Sequence, residues 1–377
     1  MDPALVNLAP LLRLALLAGV IALLPLAWIW LRRRGADRRM RLAALTALTL
    51  FLTFDLIVFG AFTRLSDAGL GCPDWPGCYG AASPLGAQAE IHAAQSALPS
   101  GPVTWTKAWI EMLHRYLAMT VGVLILVLAV VAVLERRRLP HSAGWAVATL
   151  VWVIVQGLFG KYTVTLKLYP AVVTLHLLGG MALLALLAVQ HQSFHDRPPA
   201  LAPPQWRAAA VVLALIVVQI ALGGWVSTNY AVLACGGFPA CSGRWWPPMD
   251  WANGFTLLRH LGHTGDGALL SFEALVAVHM AHRLFAGVVT LAAGWLAWRL
   301  WRSQGTARRF GIALAALLVA QLASGLSNVV LGWPLAAALA HSGGAAALVA
   351  LLTSLLARGS AAPAAQSRTA TGRAPAA

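Results

Sequence analysis

Apolar residues in this chain are gathered into long runs that short polar segments separate. A helix that spans a bilayer needs about 20 consecutive, mostly apolar residues, and a window of that length finds nine such runs. They lie near 10–31, 42–63, 109–134, 143–165, 170–190, 208–228, 273–298, 310–331 and 335–357. The pattern predicts an all-α polytopic membrane protein. We expect the first run to stay in the protein, because its basic residues follow it and a cleaved signal has them in front.

The composition agrees with a membrane protein and limits the classes of binding partner that we expect. The 377 residues are 59% hydrophobic and 10% charged, whereas soluble domains carry about 25% charged residues. The formal net charge of +15 could suggest nucleic acid as a partner, but the basic residues form short runs between the apolar segments. Such runs orient helices in a lipid bilayer, so we expect the bilayer as a partner and no nucleic acid.

The same basic residues predict the sidedness. Most of the 27 Lys and Arg residues fall in the connections that follow spans one, three, five, seven and nine. By the positive-inside rule these connections face the cytoplasm. We therefore expect a multi-pass protein of the cell inner membrane, with its N-terminus outside and its C-terminus in the cytoplasm. The long loops at 64–108 and 229–272 would then be periplasmic.

The chain contains an internal repeat. Residues 60–78 match residues 223–241 at a constant offset of 163, and both stretches carry two cysteines with C-x5-C spacing. His114-Arg115 corresponds to His282-Arg283. At an offset of 165, Gln156, Gly160 and His176 match Gln321, Gly325 and His341. Each repeat holds four spans, so both halves have the same orientation, and a pseudo-twofold axis along the membrane normal should relate two four-helix bundles.

These features divide the chain into five segments. We expect an extra N-terminal helix with a basic turn, a first four-helix bundle, a Pro-rich cytoplasmic linker, a second bundle and a disordered tail. Their respective ranges are 1–41, 42–190, 191–207, 208–357 and 358–377. Bundles of this kind can hold a cofactor between their facing helices.

Each half has one histidine on its second span and one on its fourth: His114 and His176, then His282 and His341. Two imidazoles that face each other at one depth in a bundle suit a six-coordinate haem iron. A single intramembrane histidine more often makes an interhelical hydrogen bond, but four at repeat-related positions favour haem ligation. A structural zinc site fits less well, because it gathers four ligands in one tetrahedron.

Glu111 distinguishes the two halves. It precedes His114 by three residues, so both side chains lie on one face of a helix, and the second half has His279 at the corresponding position. A carboxylate beside a bound haem can accept a proton or stabilise developing positive charge. We therefore expect chemistry in the first half and electron transfer in the second. His279 competes as a haem ligand, and we choose His282 because it matches His114.

The cysteines lie where disulfides can form. Cys72 and Cys78, like Cys235 and Cys241, bracket a short loop on the oxidising side of the membrane, so we expect two local disulfides. Their role could be to staple the loops or to relay electrons. Five basic residues near the same side could pair with haem propionates or anchor the spans at the interface: they are Arg64, Arg115, Lys161, Arg244 and Arg283.

In combination, these stretches resemble the haem A synthase family. The matching residues are GAFTRLSDAGLGCPDWPGCYG at 60–80, EMLHRY at 111–116, GGWVSTNYAVLACGGFPAC at 223–241, HMAHRL at 279–284 and the helices of His176 and His341. The resemblance implies an oxidoreductase that converts haem O to haem A for terminal oxidases, by successive hydroxylations of a porphyrin methyl group to a formyl group. It implies a catalytic Glu111 and a substrate haem O between His114 and His176. It also implies a haem b between His282 and His341.

Two other functions compete with this interpretation. A di-haem cytochrome b-like protein that carries electrons from quinol would need the four histidines, but no carboxylate beside one haem only. A transporter would need a polar pathway, and few charges lie within the spans. For a haem A synthase, haem O synthase, the protohaem farnesyltransferase that makes the substrate, is a candidate partner, and a homo-oligomer is compatible with the sequence. The first span is additional to the eight of the family.

Overall fold

The computed structural model describes residues 6–137, 143–195 and 201–359, and most of these residues are helical. The α-helices are α1 Leu11–Arg32, α2 Arg38–Leu65, α3 Gln88–Ala97, α4 Trp105–Leu134, α5 Ala143–Thr165, α6 Pro170–Ser193, α7 Pro203–Thr228, α8 Trp251–Gly254, α9 Phe272–Trp301, α10 Gly305–Val330 and α11 Leu335–Ala357. Short 3-10 helices lie at Pro84–Ala87 and Ala231–Leu233. Two strands of two residues, β1 Val6–Asn7 and β2 Trp75–Pro76, pair in parallel.

Nine helices within the described residues are long and apolar enough to cross a membrane, and they include every α-helix except α3 and α8. This confirms the predicted all-α membrane protein and its spans. Several helices extend beyond the predicted ends. For example, α4 begins at Trp105 because the Thr104 side chain accepts a hydrogen bond from the Lys107 amide at 3.3 Å and so caps the helix.

Part of the first long loop is more regular than its composition suggests. The residues up to Pro102 are rich in Ala, Ser and Gly, which is typical of an irregular loop, but α3 occupies the middle of this loop. Its one buried residue, Ile91, is fully buried in a cluster with Met112 of α4, and this contact holds a segment of moderate helix propensity in place. Residues 196–200 of the predicted linker and 360–377 of the predicted tail lie outside the described residues.

The spanning helices form two rings of four. In the first half, α2 packs on α4, α4 on α5, α5 on α6, and α6 on α2. In the second half, α7, α9, α10 and α11 repeat this arrangement in the same order. The second and fourth helix of each ring are therefore diagonal neighbours across the bundle, which places the repeat-related histidines on opposite sides of the interior.

The two bundles pack side by side through equivalent helices. Helix α6 packs on α11 and on α7, and α11 packs on α2. The contact between α2 and α11 is therefore equivalent to the contact between α7 and α6. This exchange of roles is what a pseudo-twofold axis produces. Near the end that carries the disulfide loops, the hydroxyls of Thr174 and Thr228 lie 3.2 Å apart across the interface, and Arg64 donates a hydrogen bond to the Ser227 carbonyl at 2.6 Å.

The extra helix belongs to the first bundle. Helix α1 packs against α4 and α2, and the strand before it, β1, pairs with β2 inside the first cysteine loop. Leu14 of α1 is 1% exposed and lies in one hydrophobic cluster with Cys72 and Cys78. The N-terminal segment therefore covers the first disulfide loop.

Candidate active site

Both cysteine pairs are bonded, as the spacing predicts. Cys72 is joined to Cys78 and Cys235 to Cys241, and all four residues are at most 1% exposed. Each loop lies over the start of the second long helix of its half. The fit is tight in the first half, because a side chain on Gly71 would place its Cβ 2.5 Å from the backbone of Lys107 on α4.

An arginine from that second helix holds each loop. Arg115 on α4 donates hydrogen bonds to the carbonyls of Asp74 and Pro76 at 2.9 and 3.2 Å. In the second half, Arg283 on α9 donates to the Cys235 carbonyl at 2.6 Å. Both arginines are among the basic residues that could pair with haem propionates. In the structure, both donate hydrogen bonds from their guanidinium groups to the backbone of the loop.

Glu111 lies at the junction of α4 and the first loop. It is 4% exposed, its carboxylate accepts a hydrogen bond from the Cys72 amide at 2.8 Å, and it forms an ion pair with Arg115 one helical turn away. Two donors from different elements therefore fix the orientation of this carboxylate.

His279 takes the corresponding place in the second half. It is 4% exposed, and its Nε2 accepts a hydrogen bond from Arg283 at 3.1 Å. A neutral imidazole thus replaces the Glu111 carboxylate as the acceptor for the arginine, and the second half has no negative charge at this point.

The imidazoles of His282 and His341 face each other inside the second bundle. Their ring centroids are 6.4 Å apart, and their planes are nearly perpendicular. A bond from imidazole nitrogen to a first-row metal is about 2 Å long, and the ring centroid lies about 1 Å further, so two rings on opposite sides of one iron have centroids about 6 Å apart. The observed separation fits this value. His279, directed to Arg283, is not part of the facing pair.

Side chains on neighbouring helices contact both imidazoles of this pair. The Gln219 amide nitrogen lies 3.0 Å from Nδ1 of His282 and 3.1 Å from the carbonyl oxygen of the same residue. The Ser324 hydroxyl lies 3.2 Å from Nδ1 of His341. The contact with the Ser324 oxygen is of the kind that commonly orients a histidine ligand of a metal, whereas the Gln219 amide nitrogen also lies 3.4 Å from Nε2 of His282.

The first bundle places His114 on α4 and His176 on α6, the diagonal pair that corresponds to α9 and α11. The His114 ring stacks on Phe59 with centroids 6.1 Å apart. Nδ1 of His114 and Nδ1 of His176 are buried and lack a hydrogen-bond partner among the described residues. The interior thus presents two imidazoles with unused polar atoms in apolar surroundings.

A glycine on an adjacent helix lies against each of the four imidazoles. A Cβ atom added to Gly60, Gly223 or Gly325 would lie 3.0 to 3.1 Å from the Cε1 atom of His114, His282 or His341, respectively. For Gly160 and His176 the distance is 3.5 Å. The repeat alignment already showed these glycines, but not their contact with the histidines. They give each ring room that a larger residue would fill.

These observations fit a haem in each half. Half-buried imidazoles face apolar interiors, glycines leave space beside them, and the separation of His282 from His341 suits one iron between them. Among the described residues, three or more His, Cys, Asp or Glu side chains nowhere gather into one metal-binding group, so a tetrahedral zinc site finds no support there. His282 and His341 would hold one haem iron, and His114 with His176 would flank the other.

An acidic residue within the spans was not among the site residues predicted from the sequence. Asp55 lies near the middle of α2, and it makes no hydrogen bond or ion pair to any described residue. The residue at the repeat-related position is Val218. An acidic residue inside a long apolar run is a sequence signal for a functional site, since such residues in membrane spans usually have a function.

Comparison with known proteins identifies the family of this chain. Residues 43–353 match the family model of the cytochrome oxidase assembly protein COX15-CtaA. A protein of Shewanella oneidensis named haem A synthase is 38% identical over 322 residues, which cover 84% of this chain and 96% of that protein. The chain belongs to the haem A synthase family. A haem A synthase of Caulobacter vibrioides is 28% identical over 341 residues, with 84% and 96% coverage, and that of Halalkalibacterium halodurans is 26% identical over 294 residues, with 76% and 86% coverage.

The match to haem A synthases spans both bundles. The two disulfide loops, Glu111, the four repeat-related histidines and the glycines beside them all lie within the matched residues 43–353. Helix α1 and strand β1 precede the matched residues. The segment that covers the first disulfide loop therefore lies outside the part of the chain that matches the family.

Proposed function

We propose that this membrane protein oxidises haem O to haem A and that the first bundle is the reaction site. The single observation that carries this assignment is the difference between Glu111 and His279. The two halves share the loop, the arginine and the facing histidines, but only the first has a carboxylate at this position. A reaction that withdraws electrons and protons from a porphyrin substituent needs a proton acceptor at one haem only.

Glu111 is the catalytic residue in this proposal. The hydrogen bond from Cys72 and the ion pair with Arg115 hold the carboxylate in a fixed orientation, so it can accept a proton or stabilise positive charge that develops on the substrate. His114 and His176 would flank haem O and hold it in place. The apolar interior excludes water from this site.

His282 and His341 would hold haem b in the second bundle. When bound, haem b would supply one-electron transfer, at a potential that the imidazoles of these two residues would help to set. The residues of this half therefore serve to bind and orient the cofactor. The buried interface between α6 and α11 keeps the two haem sites at a constant separation.

The setting of the reaction follows from the same proposal. The positive-inside pattern supports an inner-membrane location with both cysteine loops in the periplasm, where disulfides persist. Haem O synthase would hand over the substrate within the membrane, and a homo-oligomer is compatible with the exposed apolar helix faces. The four-helix halves at 42–190 and 208–357 act as the catalytic unit and the haem b unit.

Pigment analysis tests this function. The full chain would be produced together with a haem O synthase in a host that lacks haem A, and the haems extracted from the purified protein would be separated by chromatography. We expect haem A or its hydroxylated precursor alongside haem b. Haem b alone in both halves would instead support the di-haem electron carrier and reject the synthase.

A further inference from the structure

The two bundles differ in how they support their histidines. In the second half, Ser324 and Gln219 contact the Nδ1 atoms of His341 and His282. The repeat-related residues in the first half are Phe159 and Leu56, which can neither donate nor accept a hydrogen bond. This difference extends to both members of each pair, and it is separate from the difference between Glu111 and His279.

The contact between Ser324 and His341 defines which imidazole nitrogen of His341 is available to bind iron. The Ser324 hydroxyl lies 2.8 Å from the Ala320 carbonyl and 3.2 Å from that of Gln321, so its single hydrogen is used on the backbone of α10. Towards His341 the oxygen can only accept, and Nδ1 must then carry the hydrogen. Nε2 keeps its lone pair, which is the state that a histidine needs to bind iron.

Gln219 restricts the other ring. Its amide nitrogen donates a hydrogen bond to the carbonyl oxygen of His282 at 3.1 Å and lies 3.0 Å from Nδ1 and 3.4 Å from Nε2 of the same residue. It therefore contacts both ring nitrogens without selecting a tautomer, and it ties α9 to α7. Rotation of the ring would disturb these contacts, so Gln219 restricts the orientation of the imidazole that faces His341. Such outer contacts typically change metal affinity by about 10- to 100-fold.

We propose that Ser324 and Gln219 are positioning residues that make the second histidine pair a permanent haem ligand set, whereas Phe159 and Leu56 leave the first pair free to release its haem. This inference rests on the proposed function and adds a distinction that the function requires. A substrate haem must enter and leave in each cycle, but a resident haem must not. Imidazoles without hydrogen-bonded support turn more freely and bind iron more weakly, so exchange is favoured where the chemistry occurs.

The test uses the purified full-length protein and the rate at which haem b passes to an excess of apomyoglobin. We expect Ser324→Ala to raise this rate by about 10-fold or more, and Gln219→Leu to act in the same direction. Ser324→Thr retains the hydroxyl and should restore the parental rate. Ser327→Ala is the matched control, since Ser327 also bonds to its own helix backbone, at 2.8 Å, but does not contact a histidine.

A second measurement separates positioning from loss of packing. The hydrogen bond to Ser324 makes the His341 imidazole more basic, so Ser324→Ala should raise the reduction potential of haem b, whereas Ser327→Ala should not change it. In the first half, Phe159→Ser introduces a hydroxyl at the repeat-related position. We expect this variant to slow the release of haem O or haem A to the acceptor and to leave haem b unchanged.

The outcomes distinguish this inference from the function on which it rests. If the parental protein binds haem b but Ser324→Ala and Gln219→Leu leave its release rate and potential unchanged, the inference is wrong and the synthase function stands. If the parental protein binds no haem between His282 and His341, the proposed function fails, and the inference fails with it.

Discussion

Glu111 and Arg115 form a buried ion pair at the point where α4 meets the first disulfide loop. Arg115 also bonds to the loop carbonyls, so one guanidinium links the carboxylate to the loop that supplies its second donor. We expect Glu111→Gln to keep most of this network but to lose the negative charge. Conversion of haem O should fall by at least about 100-fold, as measured from the ratio of haem A to haem O in pigment extracts.

Haem b serves as the internal control for the Glu111 variant. Because the second half does not contact this network, the low-spin haem b spectrum of Glu111→Gln should match that of the parental protein. Full conversion by Glu111→Gln would remove this residue from the mechanism.

The choice between His282 and His279 can be tested with two variants on one helix. His282→Ala should abolish the low-spin haem b spectrum, because His282 faces His341. His279→Ala should retain that spectrum and only weaken the attachment of the second loop, since its ring bonds to Arg283. The reverse result, read from absorption and electron paramagnetic resonance spectra, would assign the iron to His279.

Substitution of a glycine beside a histidine should impair haem binding or conversion in one half of the protein and leave the other half unchanged. Gly223→Ala should displace the His282 ring, because the new Cβ would lie 3.0 Å from it, and overpacking of this kind costs about 1–3 kcal/mol. We expect reduced haem b occupancy in the purified protein. Gly60→Ala should impair haem O conversion and spare haem b. Gly160→Ala is the matched control, because its 3.5 Å distance from His176 is ordinary contact; an equal loss in all three variants would contradict a role for these contacts.

The N-terminal segment should protect only the first disulfide. Val6 and Asn7 pair with Trp75 and Pro76, and a side chain on Gly77 would meet Pro10 at 2.7 Å, so this cover fits closely. Deletion of residues 2–10 should accelerate reduction of Cys72–Cys78 by a small thiol about 10-fold, as expected if about 1.4 kcal/mol of local stability is lost.

Alkylation of the released thiols followed by mass spectrometry measures both disulfides in one sample. Reduction of Cys235–Cys241 should proceed at its original rate, because β1 does not reach the second loop. Equal acceleration of the two would indicate general destabilisation of the protein rather than loss of a local cover.

Much of this architecture could be predicted from the sequence, because a bilayer imposes long apolar runs and a repeat imposes matched positions. The nine spans, the two rings of helices and the paired His114 and His282 follow from these two signals. Other features depend on tertiary contacts. Helix α3 forms because Ile91 finds a buried site, and Ser324 resembles the many helical serines that bond only to their own backbone. Only the packing of α10 on α11 brings its hydroxyl to His341.

The position of α1 restricts how a lipid-soluble substrate can approach the first bundle. Helix α1 covers α2 and α4, while α2 and α6 are occupied by the second half. Helix α5 makes its extensive contacts within the spanning helices only with α4 and α6, and its neighbourhood is the remaining flank that borders hydrocarbon. Under the proposed function, a haem with a long prenyl tail would therefore enter and leave between α5 and its neighbours. The extra helix would thus restrict exchange with the membrane to one side of the first bundle.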